Sequence, residues 1–276
     1  MLKEKFFISI LFFAFGIISA VEFSIPMKLR SEAYLLRFFP RNERHFTEGM
    51  MDMSADMVSA KFSDNIDLTV FARSVIWTGM GYEWDDVVFD PRDMHYSLVT
   101  GFRSKLWNYY LTFHWLHDCF HEVDRNDEPT VIWNIFEFKF SPIDFFPDVR
   151  REQVRYISES SLILVPRFDW EIFWGFMPRL REVFWFQYEH PFSNRFGTNL
   201  RLGLLQYKNL TMEFEYRPRL WINYGGGTCQ QQFFQFAAAY HSENGTMSFF
   251  WGYNAKETQP IRPTEGLGVW GLRWEF

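Results

Sequence analysis

Apolar and polar residues alternate with a period of two along most of the chain from about residue 46 onward. In the segment 211–223, Met212 and Phe214 fall on one side of an extended chain, while Glu213 and Glu215 fall on the other. A helix would distribute these residues around its circumference, whereas a strand separates them into two faces. No segment shows a helical periodicity of comparable strength, so the chain is predicted to be all-β.

The alternating segments are joined by connections of two kinds. Tight turns such as Ser63-Asp64 mostly alternate with longer loops such as 79–93 and 118–129. The link 141–150 is too long for this alternation and the link 165–166 is too short. Tight turns on one rim and longer loops on the other are typical of transmembrane β-barrels. The predicted strands are 48–61, 65–78, 94–105, 107–117, 130–140, 151–164, 167–178, 181–189, 198–208, 210–223, 229–242, 246–256 and 266–276.

This pattern predicts a transmembrane antiparallel up-and-down β-barrel of about 12 strands, with 14 as the alternative. Bacterial single-chain barrels have even strand numbers, whereas the candidate strands are odd in number. Either one candidate does not span, or a further strand lies within 22–40. Residues 21–45 are predicted to be an N-terminal extension or first strand, and residues 46–276 to be the barrel.

The composition agrees with a membrane environment. Aromatic residues make up 21% of the chain, although charged residues contribute 22%. Disordered chains are poor in aromatic residues, so disorder is excluded. The formal net charge of −6 leaves no excess of Lys and Arg to neutralise phosphates, so no nucleic-acid partner is expected. An apolar lipid-facing surface with aromatic girdles at both interfaces accounts for the aromatic excess.

The N-terminal segment predicts export. Lys3 and Lys5 form a basic region, an apolar run covers 6–18, and Ser19-Ala20 gives a small-residue end. This arrangement is typical of a secretory signal peptide over residues 1–20, and the run is short for a transmembrane anchor.

The C-terminal residues Trp270-Gly-Leu272-Arg-Trp274-Glu-Phe276 are apolar at every second position up to a terminal Phe. This ending resembles the terminal strand by which bacterial outer-membrane β-barrel proteins are recognised for insertion. The resemblance implies a location in the outer membrane of a Gram-negative-type bacterium. It also implies outer-membrane lipids and the outer-membrane assembly machinery as partners.

The polar strand faces are predicted to point into the lumen. They would either pair with one another in salt bridges or line a permeation path. On one such face, Glu213 and Glu215 are followed by Arg217 and Arg219. The predicted lumen-lining residues are Arg73, Arg103, Lys105, His114, Glu137, Arg201, Glu213, Glu215, Arg217 and Arg219.

Three of the seven histidines lie close together, between His114 and His121. If the segment turned helical, His117 and His121 would lie one turn apart, as zinc ligands do. If it stayed extended, these two would share a face and Asp118 would lie on the other. The alternative is that the strand ends here and these residues mark a solvated rim. His117, His121 and Asp118 are therefore candidate metal ligands.

The pattern His114-Trp-Leu-His117-Asp118 at the end of a strand resembles an uncharacterised family of outer-membrane barrels, over about residues 60–140. The chain departs from the small, Ser-rich filling associated with that pattern. No residue role is carried over from the resemblance.

These features predict an outer-membrane β-barrel that is a narrow channel or a structural barrel with a charged lumen. Small solutes are candidate partners, no cofactor is predicted, and enzymatic activity is not expected. A lipid-acting hydrolase is one alternative. It requires a serine within hydrogen-bond reach of a histidine, and no such pair on one strand face is predicted. A surface receptor or adhesin acting through the acidic loops 79–93 and 118–129 is the other alternative.

Overall fold

The computed structural model describes residues 21–26, 28–40, 42, 45–81, 91–123, 130–143, 162–178, 192–258 and 264–276. No helix long and apolar enough to span a lipid bilayer occurs within these ranges. The strands are β1 (Glu22–Ser24), β2 (Lys28–Phe39), β3 (Thr47–Ser63), β4 (Ile66–Met80), β5 (Pro91–Leu106), β6 (Tyr109–Glu122), β7 (Val131–Ser141), β8 (Leu162–Phe176), β9 (Phe192–Tyr207), β10 (Leu210–Asn223), β11 (Thr228–Ser242), β12 (Gly245–Glu257) and β13 (Gly268–Glu275).

Strands β2 to β13 form one closed antiparallel sheet in which neighbours in sequence are neighbours in space. The last strand closes on the first, because backbone hydrogen bonds join Ser31 and Phe276 in both directions at 2.8 and 2.9 Å. The short strand β1 pairs with β3 beyond the end of β2, where Glu22 lies opposite Lys61. The prediction of an all-β, antiparallel up-and-down barrel with 12 strands is confirmed.

The connections differ between the two rims. At one rim, two residues separate β3 from β4, β5 from β6, β9 from β10, and β11 from β12. Trp107 and Lys208 take φ values of 55° and 51° at the first position of two of these turns, as in type I′ and II′ hairpin turns. We call this end the tight-turn rim and the opposite end the long-loop rim. The connection 142–161 is the exception on the tight-turn rim, and 224–227 is a short connection on the long-loop rim.

Two strand predictions are wrong. Segments 151–164 and 167–178 are predicted as separate strands, but Leu162–Phe176 is one strand with a register shift between Leu164 and Arg167. A proline inside a strand is tolerated at such an irregularity, which explains the misplaced break. The predicted loop 190–197 is also wrong from residue 192, where β9 begins. Residues 151–161 and the predicted strand 181–189 lie outside the described residues.

The two faces of the sheet differ in chemistry, as β5 illustrates. Leu98 and Phe102 point outward and are 52% and 49% exposed, whereas their inward neighbours Val99 and Arg103 are buried. Aromatic rings contact one another on the outside, for example Phe138 and Trp174 at 5.7 Å between ring centroids. The barrel therefore presents an apolar surface outward and carries its charges inward.

Glycines on the inward face make room for neighbouring side chains. A Cβ atom at Gly175 would lie 3.1 Å from Cγ of Arg195, and one at Gly197 would lie 2.4 Å from Cζ of Phe173. Long inward side chains therefore lean over a glycine on the next strand. In this way long side chains from neighbouring strands fit side by side on the lumen wall.

Candidate functional site

The lumen encloses a cavity of about 570 Å³ that is lined by inward residues from all the barrel strands. Glu48 and Asp52 lie on β3, whereas Arg195 on β9 and Arg217 and Arg219 on β10 supply basic side chains. In a ring of 12 strands, β3 is opposite β9. Arginine is therefore concentrated on the side of β9 and β10, where Glu137, Glu171 and Glu215 also line the cavity, and Glu48 and Asp52 lie on the opposite side beside Arg73.

Most of the predicted lumen residues line this cavity. Arg103 also points inward but is buried nearer the tight-turn rim, at 6% exposure. Carboxylate Oε2 of Glu213 lies 4.0 Å from Nε of Arg201. Lys105 lies at the tight-turn end of β5, where its backbone N–H donates to Asp67. The residues that line the cavity are Arg73, His114, Glu137, Arg201, Glu215, Arg217 and Arg219.

Glu137 on β7 is the centre of a buried ionic network. Its Oε2 accepts a hydrogen bond from Nε of Arg195 at 2.6 Å. Its Oε1 lies 3.4 Å from Nε2 of His114 and 3.5 Å from Nζ of Lys139. Gly175 lies opposite both Glu137 and Arg195 in the register. Because Gly175 has no side chain, Arg195 can reach across β8 to the Glu137 carboxylate.

A second bridge runs through Glu171 on β8. Its Oε1 accepts a hydrogen bond from Asn199 at 2.6 Å, and Asn199 Oδ1 accepts one from Arg219 at 2.6 Å. Arg219 also donates to the carbonyl oxygen of Thr198 at 2.6 Å. Pro218 has no N–H to contribute to the sheet ladder, so the guanidinium of Arg219 provides a donor for that carbonyl.

Two further ion pairs complete the middle of the lumen. Arg73 bonds to Asp52, which is 1% exposed. Glu215 is paired with Arg201 at 3.1 Å and with Arg217. The Arg217 side chain is 37% exposed and is the more accessible partner. Asp52, Glu137 and Glu215 are thus each held by cations from the same or a nearby strand, as buried charges require.

Below the cavity, toward the tight-turn rim, the described part of the lumen is filled by side chains. Asp56 bonds to Arg103 at 2.9 Å and to Arg30 at 3.2 Å, and all three residues are less than 9% exposed. His241 is fully buried and lies 2.8 Å from the hydroxyl of Thr211. Ser248 is also fully buried. None of these residues lines the cavity.

His95, Ser97 and Asp118 come together at the long-loop half of the lumen. Both His95 Nε2, at 2.6 Å, and Ser97 Oγ, at 2.5 Å, contact the same oxygen of Asp118. The prediction that no histidine and serine share a strand face is wrong, because His95-Tyr96-Ser97 places them on the inward face of β5. A nucleophilic serine donates to its histidine, whereas Ser97 donates to the carboxylate. The arrangement orients His95 without activating Ser97.

The candidate metal ligands do not form one site. Strand β6 continues to Glu122, so the segment is extended, with Asp118 inward and His117 outward. His117 Nδ1 lies 3.1 Å from the Asn134 amide oxygen, and His121 Nε2 lies 2.8 Å from Cys119 Sγ. The described residues contain no group of three or more His, Cys, Asp or Glu side chains arranged to hold a metal ion.

The remaining predicted residues lie on the outside or beyond the described ranges. The C-terminal residues Trp270, Leu272, Trp274 and Phe276 point outward and are 37–57% exposed. Most residues of the acidic loops 79–93 and 118–129 lie within 82–90 and 124–129, outside the described residues. Cys119 and Cys229 are both free thiols.

No protein-family model and no curated protein matches the chain. Among solved structures, it is similar to OmpT, an outer membrane protein of Vibrio cholerae, at 6% identity, covering 93% of this chain and 97% of that one with a TM-score of 0.39. The translocator domain of the autotransporter NalP from Neisseria meningitidis is similar at 8% identity, with 90% and 88% covered and a TM-score of 0.36. Salmonella typhi OmpF is similar at 7% identity, with 90% and 97% covered and a TM-score of 0.36. Likeness at these levels carries no argument about function.

Proposed function

We propose that this chain is a bacterial outer-membrane β-barrel whose lumen is closed to solutes at rest. The observation that carries the proposal is the filling of the tight-turn half of the lumen by buried, mutually bonded side chains such as Arg30, Asp56 and Arg103. The apolar outer surface, the predicted N-terminal signal sequence and the alternating C-terminus support a membrane location.

The ion pairs within that filled region support closure as well. A solute leaving the cavity toward the tight-turn rim must separate Asp56 from Arg30 or Arg103. Separating a buried carboxylate from its cations leaves an uncompensated charge and is strongly unfavourable. Permeation therefore requires these ion pairs to rearrange, so we expect rare openings at most.

Planar lipid bilayers test this proposal. The refolded full chain is expected to give no steady conductance over a range of voltages. The double variant Asp56→Ala/Arg103→Ala removes both sides of the buried bridge in the tight-turn half and is expected to increase the frequency of openings. Lys61→Ala, which removes an exposed ion pair outside the lumen, serves as the control. Steady openings of the wild-type protein would contradict closure.

Binding of a small zwitterionic solute in the cavity is a second candidate, favoured by Glu48 on β3 and the exposed Arg217 on β10. Glu48 would attract an ammonium group, while Arg217, the more accessible partner of Glu215, attracts a carboxylate. Titration calorimetry with a zwitterionic amino acid, beside an uncharged sugar of similar size, tests this. Binding of the zwitterion that weakens in Arg217→Ala supports it, and equal heats for both probes count against it.

The structure bears on only one of the two alternative functions, the lipid-acting hydrolase and the adhesin. Hydrolysis is not favoured, because the Ser97 hydroxyl donates to Asp118 rather than to His95. The adhesin hypothesis depends on loops outside the described residues and stays a prediction. Interaction with the outer-membrane assembly machinery through the C-terminal strand is part of the proposal, and exposure of Trp274 and Phe276 on the outer surface supports it.

A further inference from the structure

Two opposed pairs of residues on the outward face of β5 and β6 lie close to the long-loop rim. Met94 is directly opposite His121 in the register, and Tyr96 is directly opposite Cys119. The residues that alternate with them on both strands line the lumen cavity, so these four point the other way. Opposed residues on one face have Cβ atoms about 4.5–5.5 Å apart. A thiol, an imidazole and a thioether are therefore brought together there, and with Thr130 we call these residues the rim cluster.

The imidazole of His121 is fixed through both of its ring nitrogens. Nε2 lies 2.8 Å from Sγ of Cys119, and Nδ1 lies 3.0 Å from Oγ1 of Thr130. When the Thr130 hydroxyl accepts a hydrogen bond from Nδ1–H, the lone pair of Nε2 points at the thiol. Histidines that bind metals are held in this way, by a partner on the other ring nitrogen that sets the tautomer. The ring of Tyr96 also packs edge-on against His121, with centroids 5.8 Å apart.

The thioether of Met94 is positioned by the same tyrosine. The Tyr96 hydroxyl donates a hydrogen bond to Met94 Sδ at 3.3 Å, and the sulfur keeps a second lone pair. Cys119 is 8% exposed, whereas Met94 and His121 are only partly buried, so the cluster can be reached from outside the barrel. Thiolate and thioether ligands together favour soft cations such as Cu(I).

We propose that the rim cluster binds one Cu(I) ion through Cys119 Sγ, His121 Nε2 and Met94 Sδ. The thiol releases its proton to solvent, and the thiolate, imidazole and thioether each donate a lone pair to the ion. One thiolate neutralises one monovalent cation, so the occupied site carries no net charge on the outer face. A divalent cation would leave a positive charge there, which is costly away from water.

The geometry of the pair Cys119 and His121 is close to that of two ligands of one ion. With bonds as long as those of zinc, about 2.3 Å to sulfur and about 2.0 Å to nitrogen, two such ligand atoms lie about 3.6 Å apart. The present separation of 2.8 Å therefore widens by about 0.8 Å when the ion replaces the thiol proton. Side-chain rotation alone provides a movement of this size.

Competition with a chelator tests the proposal. The refolded full-length protein in detergent, with ascorbate to keep copper reduced, is titrated against the Cu(I) complex of bathocuproine disulfonate. We expect the wild type to take one Cu(I) per chain and Cys119→Ser to bind it at least about tenfold more weakly. Cys229→Ser removes the other free thiol and is expected to bind like the wild type. Equal binding by Cys119→Ser and the wild type would overturn the site.

Two conservative variants test the other parts of the cluster. Met94→Leu keeps the size of the side chain and removes the thioether, so Cu(I) binding should weaken severalfold. Thr130→Val removes the partner of His121 Nδ1 and should weaken binding about tenfold, as expected for a group that orients a metal ligand. Unchanged binding in both variants would overturn the assignment of these roles. Binding of Zn(II) as tight as that of Cu(I) would overturn the choice of a soft monovalent ion.

Protection of the thiol provides a test that needs no substitution at Cys119. In Cys229→Ser, Cys119 is the remaining thiol, and a maleimide reports its rate of alkylation. Because the thiolate is both the nucleophile and the metal ligand, one equivalent of Cu(I) should slow the reaction at least about tenfold. An unchanged rate would contradict coordination by Cys119.

Discussion

The two halves of the lumen are built from the same strands but are filled differently. Toward the long-loop rim, inward residues such as Trp133 and Asn254 surround the cavity. Toward the tight-turn rim, inward residues such as Ser248 and His241 are fully buried. The same alternating pattern thus produces both the cavity and the filled half of the lumen. The two halves differ in the size of their inward side chains and in their hydrogen-bond partners.

The largest effect on the free energy of unfolding is expected from a substitution at Glu137, in the middle of the lumen. Glu137→Ala leaves Arg195 and Lys139 without their buried carboxylate partner. Removing one member of a buried ion pair typically destabilises a protein by about 3–5 kcal/mol. We expect a loss of that size in the free energy of unfolding, measured by urea titration of tryptophan fluorescence in vesicles.

Glu137→Gln is the matched control for this change. It keeps the size of the side chain and a hydrogen-bond acceptor for Arg195, so its loss should be smaller than that of the alanine variant. Equal stability of Glu137→Ala and the wild type would show that the network does not hold the lumen together.

An intermediate effect on stability is expected when leucine is introduced on β12, once in the filled half of the lumen and once in the cavity half. Ser248→Leu forces a large side chain into the filled half and should lower the free energy of unfolding by about 1–3 kcal/mol. Asn254→Leu places the same side chain beside the cavity, which has room for it, and should change the free energy of unfolding by less than about 1.5 kcal/mol. Chemical unfolding of both variants measures the difference. The reverse order of stabilities would contradict the assignment of the two halves.

The smallest effect is expected at the tight-turn rim, outside the lumen. Lys61 Nζ lies 2.7 Å from Asp64, and the two side chains are 50% and 92% exposed. The hydrogen bond and charge of Lys61 lower the pKa of the Asp64 carboxyl. A lowered folded-state pKa stabilises above the unfolded-state pKa, and the contribution is lost as the pH falls through the folded-state pKa.

Lys61→Ala should therefore return the Asp64 pKa to its ordinary value, as followed by NMR titration of the carboxyl carbon. Unfolding at neutral pH should not change measurably, because exposed ion pairs contribute little. A large loss of stability at neutral pH would mean that this rim carries more of the fold than its exposure indicates.

The alternation of residues was sufficient to predict the fold and the two faces. Leu98 and Phe102 are apolar at alternate positions of β5 and lie outward, and Arg73 and Glu137 come from polar positions and line the cavity. Period-two patterning decides which face a residue occupies, because one step of register reverses every side chain.

The partners of these residues could not be predicted in the same way. The bond between Glu137 and Arg195 skips β8 and depends on a glycine at position 175 of that strand, which only the register reveals. His95 and Ser97 are different, because their His-x-Ser spacing in a strand was a signal in the sequence that could have found them.

Thiol labelling in vesicles tests the closed lumen most directly. In a background with Cys119 and Cys229 replaced by serine, Asn254→Cys and Ser248→Cys place a thiol in the cavity and in the filled half, respectively. A charged, membrane-impermeant methanethiosulfonate reagent is added on both sides of the bilayer. We predict rapid modification at position 254 and none at position 248. Modification of position 248 at a comparable rate would contradict a lumen that is closed toward the tight-turn rim.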